Sequence, residues 1–540
     1  MRGESIRRRQ PSHPRRSFLR PHPARFTPSV RRLLLALSSV ALLVAAFPSW
    51  NIWWCAWVAL VPWLALLRQC TARQAFWWSS LIGLFFFLAS IWWLTFVTWA
   101  GWLVLCAYLA VFFGAFGWVA HRSEPPASSF AHLILLPGVW VALEFLRSHL
   151  GSGFGWNLLA YSQAAWPEVL QLAEVTGAWG ISFLIVLVNV ALAECLLPVS
   201  SAATALRHVG LAALCLICTV SFGAWRMPQL PSGPIARIAV IQGNIPQEEK
   251  WDEALADRIL QRYEGLTRDA ARKTPQLIVW PETSARGYLG LEEDLTQRLI
   301  ALARAVRTPL LIGAPMGHYV GPALRITNSA ALLSETGSFL GRYDKLHLVP
   351  LGEFVPFERQ APWLRKILPP IGDFVAGAEP TVFNLGGPSA MPFSVLICFE
   401  DVFPDLARQF VQHGATLLLN ITNDAWFGPT AAAYQHAQAS TLRAVELRVP
   451  VIRAANTGWS GCIDAAGRWR GSVRDALGRE LFVSGFVTCS VPTRSKSGQS
   501  LYLRWGDWFA GLCLVGTVSW LLIQLLVVRR FKPRRSERAK

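Results

Sequence analysis

The stretch Phe393-Ser394-Val395-Leu396-Ile397-Cys398-Phe399-Glu400-Asp401 reads as a buried strand that ends at a thiol, with two acids following at once. Two further strand ends have the same character. Leu277-Ile278-Val279-Trp280-Pro281-Glu282-Thr283 runs out through a proline to a carboxylate. Gly341-Arg342-Tyr343-Asp344-Lys345-Leu346-His347-Leu348-Val349-Pro350 carries a lysine in a stretch rich in apolar residues. Strand ends are where α/β folds build active sites. Outward from these, apolar β-rich runs alternate with helical stretches from about Pro228 to Gln499, which predicts one α/β domain. Strands are expected at 237–243, 277–280, 310–314, 329–333, 339–344, 393–398, 416–421, 451–455, 462–464 and 481–490. Helices are expected at 251–272, 291–305, 404–413 and 431–447.

Glu282, Lys345 and Cys398 together suit acyl chemistry. A cysteine is a strong nucleophile as a thiolate, and a nearby base or cation produces one. A partly desolvated carboxylate such as Glu282 accepts the thiol proton, and a lysine stabilises the oxyanion of a tetrahedral intermediate. Each residue alone has a plainer reading: Glu282 as a helix cap or ion-pair partner, Cys398 as core cysteine, Lys345 as a solvated surface lysine. The chain holds 7 Lys against 44 Arg, so a lysine in such a stretch suggests that a point charge is wanted there.

The rest of the chain belongs to a membrane. Of its 540 residues 53% are hydrophobic and 26 are Trp, more apolar surface than a soluble domain carries. Seven candidate spans precede residue 228, near 33–47, 52–67, 75–97, 102–120, 130–146, 169–197 and 209–225, and an eighth runs from about 508 to 528. The first two are short enough to be a re-entrant pair. Ten Arg lie between Arg2 and Arg32 against one acid, Glu4, and a second basic cluster closes the chain. The loops with Arg68 and Arg73, with His121 and Arg122, and with Arg207 are basic too. The positive-inside rule puts all of these in the cytoplasm and the α/β domain outside it. The net charge of +18 is therefore membrane-flanking charge, not a nucleic-acid face. Arg15-Arg16-Ser17-Phe18-Leu19-Arg20 resembles a twin-arginine signal but reads as part of the basic tail. The ten Cys do not form an obvious disulfide framework, and no CxxC pair suggests a metal. The segments expected are a basic tail (1–32), a membrane domain (33–227), a catalytic domain (228–499), a last span (500–528) and a basic tail (529–540).

The order Glu…Lys…Cys, with Trp280-Pro281-Glu282, the Tyr343–Pro350 run before Gly352-Glu353, and a Cys-aromatic-Glu step, resembles the nitrilase (carbon–nitrogen hydrolase) superfamily. Taken with the spans, it resembles the superfamily's membrane-embedded branch, the apolipoprotein N-acyltransferases. Further matching stretches are Gln242–Gln247 with Lys250-Trp251, Asn420–Gly428, Gln435-His436 with Arg443 and Glu446, Glu144 with Arg147, and Gly153–Asn157. The resemblance implies a multi-span α-helical membrane bundle carrying a nitrilase-like αββα sandwich. It implies Glu282 as base, Cys398 as nucleophile and Lys345 at the oxyanion. The acyl donor is then a phospholipid, usually phosphatidylethanolamine, which gives its sn-1 chain through a thioester. The acceptor is the amine of a diacylglyceryl-cysteine apolipoprotein, and the enzyme is a monomer of the bacterial inner membrane with its domain in the periplasm. No cofactor and no metal are implied. Glu353 and Glu400 match supporting acids, and Trp251 an aromatic at the lipid pocket, or else a packed residue at a helix start. Phe399 departs from the usual Tyr, and Leu351 from the usual Phe. Trp363–Pro370 is read as a mobile lid or a buried core helix.

Two rivals remain on sequence alone. One is a membrane-anchored amidase that passes its acyl group to water. The other is a transporter or lipid-binding scaffold, with Glu144, Glu174 and Glu194 marking an ion path.

Overall fold

The computed structural model describes residues 27–123, 130–197, 201–230, 232–350, 352–355, 373–385, 391–495 and 499–530. Leu351, the Trp363–Pro370 segment and nearly all of both basic tails lie outside the described residues.

The chain enters the bundle through α1 (Pro28–Ala45), with Thr27 as cap and Pro at its first turn. It then doubles back. Ile52 N–H bonds to Ala45 O at 2.8 Å, Ser39 Oγ to Ala59 O at 2.7 Å, and the Arg32 guanidinium to Gln69 O. These contacts step down α1 as the sequence advances, so the second segment runs antiparallel to it. It is not one helix, however: a 3₁₀ turn (Trp53–Trp57) precedes a short helix α2 (Val61–Leu67). Next come α3 (Ala72–Ser90), α4 (Trp99–Arg122), α5 (Phe130–His149), α6 (Ala178–Leu196) and α7 (Ala202–Arg226). The span expected from residue 169 starts only at Ala178, because Gly177 turns the chain at φ 68°. Among the described residues, six helices are long and apolar enough to cross a membrane, the last being Trp508–Leu526 within α12 (Trp508–Arg530). Its Leu512, Val515, Leu522, Ile523, Leu525 and Leu526 are exposed, which fits contact with lipid.

The two ends of the bundle differ. Trp50, Trp54, Trp92, Trp99, Trp225 and Trp505 stand exposed at the helix ends beside the α/β domain. Exposed indoles gathered at helix ends suit the aromatic belt of a membrane interface, and Trp77 is exposed near the other end. Arg32, Arg68, Arg73, Arg122 and Arg207 sit at the opposite helix ends.

The α/β domain contains two six-stranded sheets. One has the order β12-β1-β2-β3-β4-β5, with β1 Ser232–Gln242, β2 Leu277–Val279, β3 Leu310–Val320, β4 Ala323–Leu333, β5 Phe339–Asp344 and β12 Gly485–Arg494. The other has the order β11-β10-β9-β8-β7-β6, with β6 Phe383–Leu385, β7 Met391–Ile397, β8 Leu417–Thr422, β9 Val451–Ala455, β10 Gly461–Ile463 and β11 Trp469–Ser472. Period-two alternation sorts the side chains. Ile238, Val240, Leu277 and Val279 face the other sheet, while Ala239, Ile241, Ile278 and Trp280 pack under α8 (Ala256–Ala271) and α9 (Glu293–Val306). On the far side of the second sheet lie α10 (Pro404–Gln412) and α11 (Ala432–Leu447). The result is an αββα sandwich. Nearly every residue of α11 is buried, because the sheet covers one face and the membrane helices the other.

Two features depart from the sequence reading. Strands β6 and β11 were not anticipated. Cys462 and Cys489 form a disulfide, with Cα atoms 5.8 Å apart, clasping β10 of one sheet to β12 of the other.

Candidate active site

Three parallel strands, β1, β2 and β3, and three others, β7, β8 and β9, bring their ends to the face of the domain that meets the bundle. Glu282 follows β2. The strand β3 passes so close that a Cβ on Gly313 would lie 2.2 Å from Pro281 O, so only glycine fits there. Glu282 is 6% exposed. Its Oε1 accepts from Asn328 Nδ2 at 2.8 Å and its Oε2 from Asn423 N–H at 2.9 Å.

Lys345 follows β5 and is fully buried. Its Nζ lies 2.9 Å from Glu353 Oε2 and 3.6 Å from Glu282 Oε1. Burial opposes the ammonium, but Glu353 and Glu282 more than offset it and hold Lys345 above the usual lysine range. Glu353 is itself fixed by Val349 N–H at 2.8 Å and Asn328 Nδ2 at 2.8 Å. Asn328 thus bridges the two carboxylates that flank the lysine.

Cys398 ends β7 with φ 58°, a left-handed conformation that a non-glycine residue adopts at a cost of about 1 kcal/mol. The turn is fixed from below. Asn420 Nδ2 donates to Cys398 O at 2.8 Å, and His436 Nε2 lies 3.2 Å from the same oxygen. Burial pushes the thiol well above its usual range; Glu282 adds to this and Lys345 opposes it. At rest the sulfur is therefore a thiol that needs a base to lose its proton.

Glu400 does not act on the sulfur directly. Its carboxylate accepts from Tyr343 Oη at 2.9 Å, Leu346 N at 2.8 Å, His347 N at 3.0 Å and Ile397 N at 2.7 Å. It ties the Lys345 segment to the Cys398 turn, and burial pushes its carboxyl up to about 7. Phe399 lies with its ring 5.7 Å from Lys345 Nζ and packs on Phe403. Trp251 is 46% exposed. Sequence reasoning passed over Asn328, Asn423 and His436 as site residues, and it quoted Lys250 only as a neighbour of Trp251. Lys250 is buried, and its Nζ donates to Glu282 O at 3.0 Å.

The cluster sits against the bundle. Gln435 Oε1 accepts from Trp93 Nε1 at 3.0 Å and Trp156 Nε1 at 2.9 Å, and its Nε2 donates to Pro48 O at 3.1 Å and Ser90 O at 2.9 Å. Trp156 also packs on His436, with ring centroids 5.4 Å apart. The acids once considered as an ion path each have partners. Glu144 lies 4.0 Å from Arg147, Glu174 bonds Arg226 and Arg448, and Glu194 lies between His132 and His208.

Residues 39–191 match the family described as the apolipoprotein N-acyltransferase N-terminal domain, and residues 237–482 match carbon-nitrogen hydrolase. The chain is 37% identical to an apolipoprotein N-acyltransferase of Geobacter metallireducens, over 93% of this chain and 96% of that one. It is 31% identical to one of Gloeobacter violaceus, over 96% and 98%. A solved amidase of the nitrilase superfamily from Nesterenkonia AN1 aligns with 51% of this chain and 95% of its own, at 22% identity and a TM-score of 0.37.

Proposed function

The chain belongs to the apolipoprotein N-acyltransferase family, and from that premise we propose that it moves an acyl chain from a phospholipid to the amino group of a diacylglyceryl-cysteine apolipoprotein. Supporting this most directly is one buried cluster, Glu282, Lys345, Glu353 and Cys398, whose cysteine turn rests on His436, which in turn packs on Trp156 of the bundle. Among the described residues, five helices long and apolar enough to cross a membrane precede the domain, which suits a substrate that arrives through the bilayer.

Glu282 takes the thiol proton as sulfur attacks the sn-1 ester carbonyl of the donor, usually phosphatidylethanolamine. The oxyanion forms beside Lys345, whose charge the two carboxylates maintain. Collapse expels the lysophospholipid alkoxide, which takes the proton from Glu282, and leaves a thioester on Cys398. The acceptor amine then attacks the thioester, which reacts readily with an amine where water is excluded. Glu353 positions Lys345, Glu400 positions both the lysine segment and the cysteine turn, and Trp251 meets lipid at the rim. The aromatic belt and the basic far ends of the helices support a domain outside the cytoplasm, in the periplasm. A disulfide in this domain suits an oxidising compartment.

The test is intact mass of the purified protein after incubation with phosphatidylethanolamine vesicles. An added acyl mass is expected on the native chain and not on Cys398→Ala, and it is discharged by a diacylglyceryl-cysteine peptide with formation of the amide. Acylation of Cys398→Ala overturns the nucleophile assignment. Release of free fatty acid without amide favours the amidase reading.

A further inference from the structure

Two buried lysines hold Glu282 from opposite ends. Lys345 meets its carboxylate and is also paired with Glu353. Lys250 is 4% exposed, and its Nζ lies 3.0 Å from the main-chain carbonyl of Glu282. Among the described residues no carboxylate lies within ion-pair distance of Lys250. A buried ammonium whose partner is a neutral carbonyl is poorly compensated, so it gives up its proton more easily than an ordinary lysine. Arginine cannot respond in this way, because it keeps its charge. In a chain that takes 44 of its 51 cations as Arg, a lysine at this depth is a chemical choice.

The surroundings point the same way. Glu282 faces Lys250 from the end of β2 and Cys398 from the end of β7, with Lys345 beyond Glu282 from the end of β5. On its own loop, Glu248, Glu249 and Asp252 make no ion pair with it, and Arg262 is bonded to the carbonyls of Gly243 and Asn244. Burial pulls Lys250 down to about 8, with Glu282 and then Cys398 opposing the shift. The loop is fastened to the site, since Asn423 donates its N–H to Glu282 and its side-chain amide to Gln247.

We propose that Lys250 is a proton acceptor dedicated to the amine half of the reaction, taking one proton from the acceptor's α-ammonium as it nears the thioester. This rests on the acyltransferase reading. The proton moves from the ammonium to the Lys250 amine, and the freed lone pair forms the N–C bond. The C–S bond then breaks. The second amine proton passes through Glu282 to the sulfur, which regenerates the thiol, and Lys250 returns its proton to solvent. An α-amine titrates at about 7.7–8.0, so the first transfer is nearly thermoneutral. A hydrolase that passes acyl groups to water has no ammonium to deprotonate and no need of this second base.

The test compares the native chain with Lys250→Met and Lys250→Arg, each first acylated by phosphatidylethanolamine vesicles and followed by intact mass. The acyl-enzyme is then discharged with a diacylglyceryl-cysteine peptide or with hydroxylamine, which is already unprotonated at neutral pH. Acylation is expected to slow in both variants, because each loosens the hold on Glu282, and hydroxylamine discharge of the acyl-enzyme gives the reference rate for each. Relative to hydroxylamine discharge, peptide discharge near neutral pH is expected to slow by roughly tenfold in both, and to recover as pH rises above the α-amine's own titration. Full activity in Lys250→Arg overturns the proposal, since that outcome assigns only a charge or a prop. Equal slowing of the two discharges overturns it too. Absence of an acyl-enzyme in the native chain overturns the acyltransferase reading instead.

Discussion

His436 Nε2 lies 3.2 Å from the carbonyl oxygen of Cys398 and 2.9 Å from Asp401 Oδ1, while its Nδ1 meets Asp424 Oδ1 at 3.0 Å. Burial works against the imidazolium, but Asp401 and Asp424 outweigh it and raise His436 from 6.5 to about 9, against the opposing charge of Arg453. The ring shares with the Asn420 amide the task of holding the Cys398 carbonyl in the left-handed turn. A folded value above the unfolded one gives stability that is full below 6.5 and lost as pH rises through about 9. The thermal midpoint is expected to fall across that window in the native chain. His436→Gln is expected to be less stable at the acid end and to lack that part of the slope. An unchanged slope in the variant would place the effect on another group.

Lys345→Met removes the cation between Glu353 and Glu282. The loss expected is about 3–4 kcal/mol of transition-state stabilisation, seen as a fall of two to three orders of magnitude in the single-turnover acylation rate. Lys345→Arg is not expected to restore it, because a planar fork does not fit the place of a compact ammonium. Acylation at the native rate in either variant would remove Lys345 from the oxyanion role.

Gln435→Leu strands the indole N–H groups of Trp93 and Trp156 and the carbonyls of Pro48 and Ser90. Each unpaired buried group costs about 1–3 kcal/mol, less whatever relaxation recovers. The expected result is earlier unfolding in detergent and faster amide exchange at residues 153–157. Unchanged exchange there would show that the two halves are held together by other contacts.

Cys462→Ser with Cys489→Ser opens the clasp between the sheets. A cross-link of this loop length contributes about 3 kcal/mol, so a lower thermal midpoint is expected, with acyl transfer retained at low temperature. Reductant should reproduce the effect on the native chain and leave the double variant unmoved.

The grouping of Glu282, Lys345 and Cys398 was legible because each follows a strand, and a polar group at such a point has to be explained. Glu353 and Glu400 were found by resemblance alone; only the packed structure separates the lysine's partner from the clamp that accepts from Tyr343 and Ile397. Asn328 gave no signal, since a polar residue inside a strand does not reveal which carboxylates it will bridge. Strands β6 and β11 are three and four residues long and lie at sheet edges, too short for a period to register. The apolar run from Val169 hid two short helical turns, because hydropathy does not sense the backbone reversal at Gly177. Cys462 and Cys489 are 27 residues apart in different sheets, and only closure of the sandwich brings them together.

That clasp has a consequence for how the molecule is made. On the proposed topology its two thiols leave the reducing cytosol with the domain and are joined only on the far side of the membrane. A copy threaded upside down would keep both sulfurs reduced and its sheets unfastened, and would be the first to unravel and meet a protease. Correct insertion is thereby recorded in a covalent bond that an inverted copy never acquires.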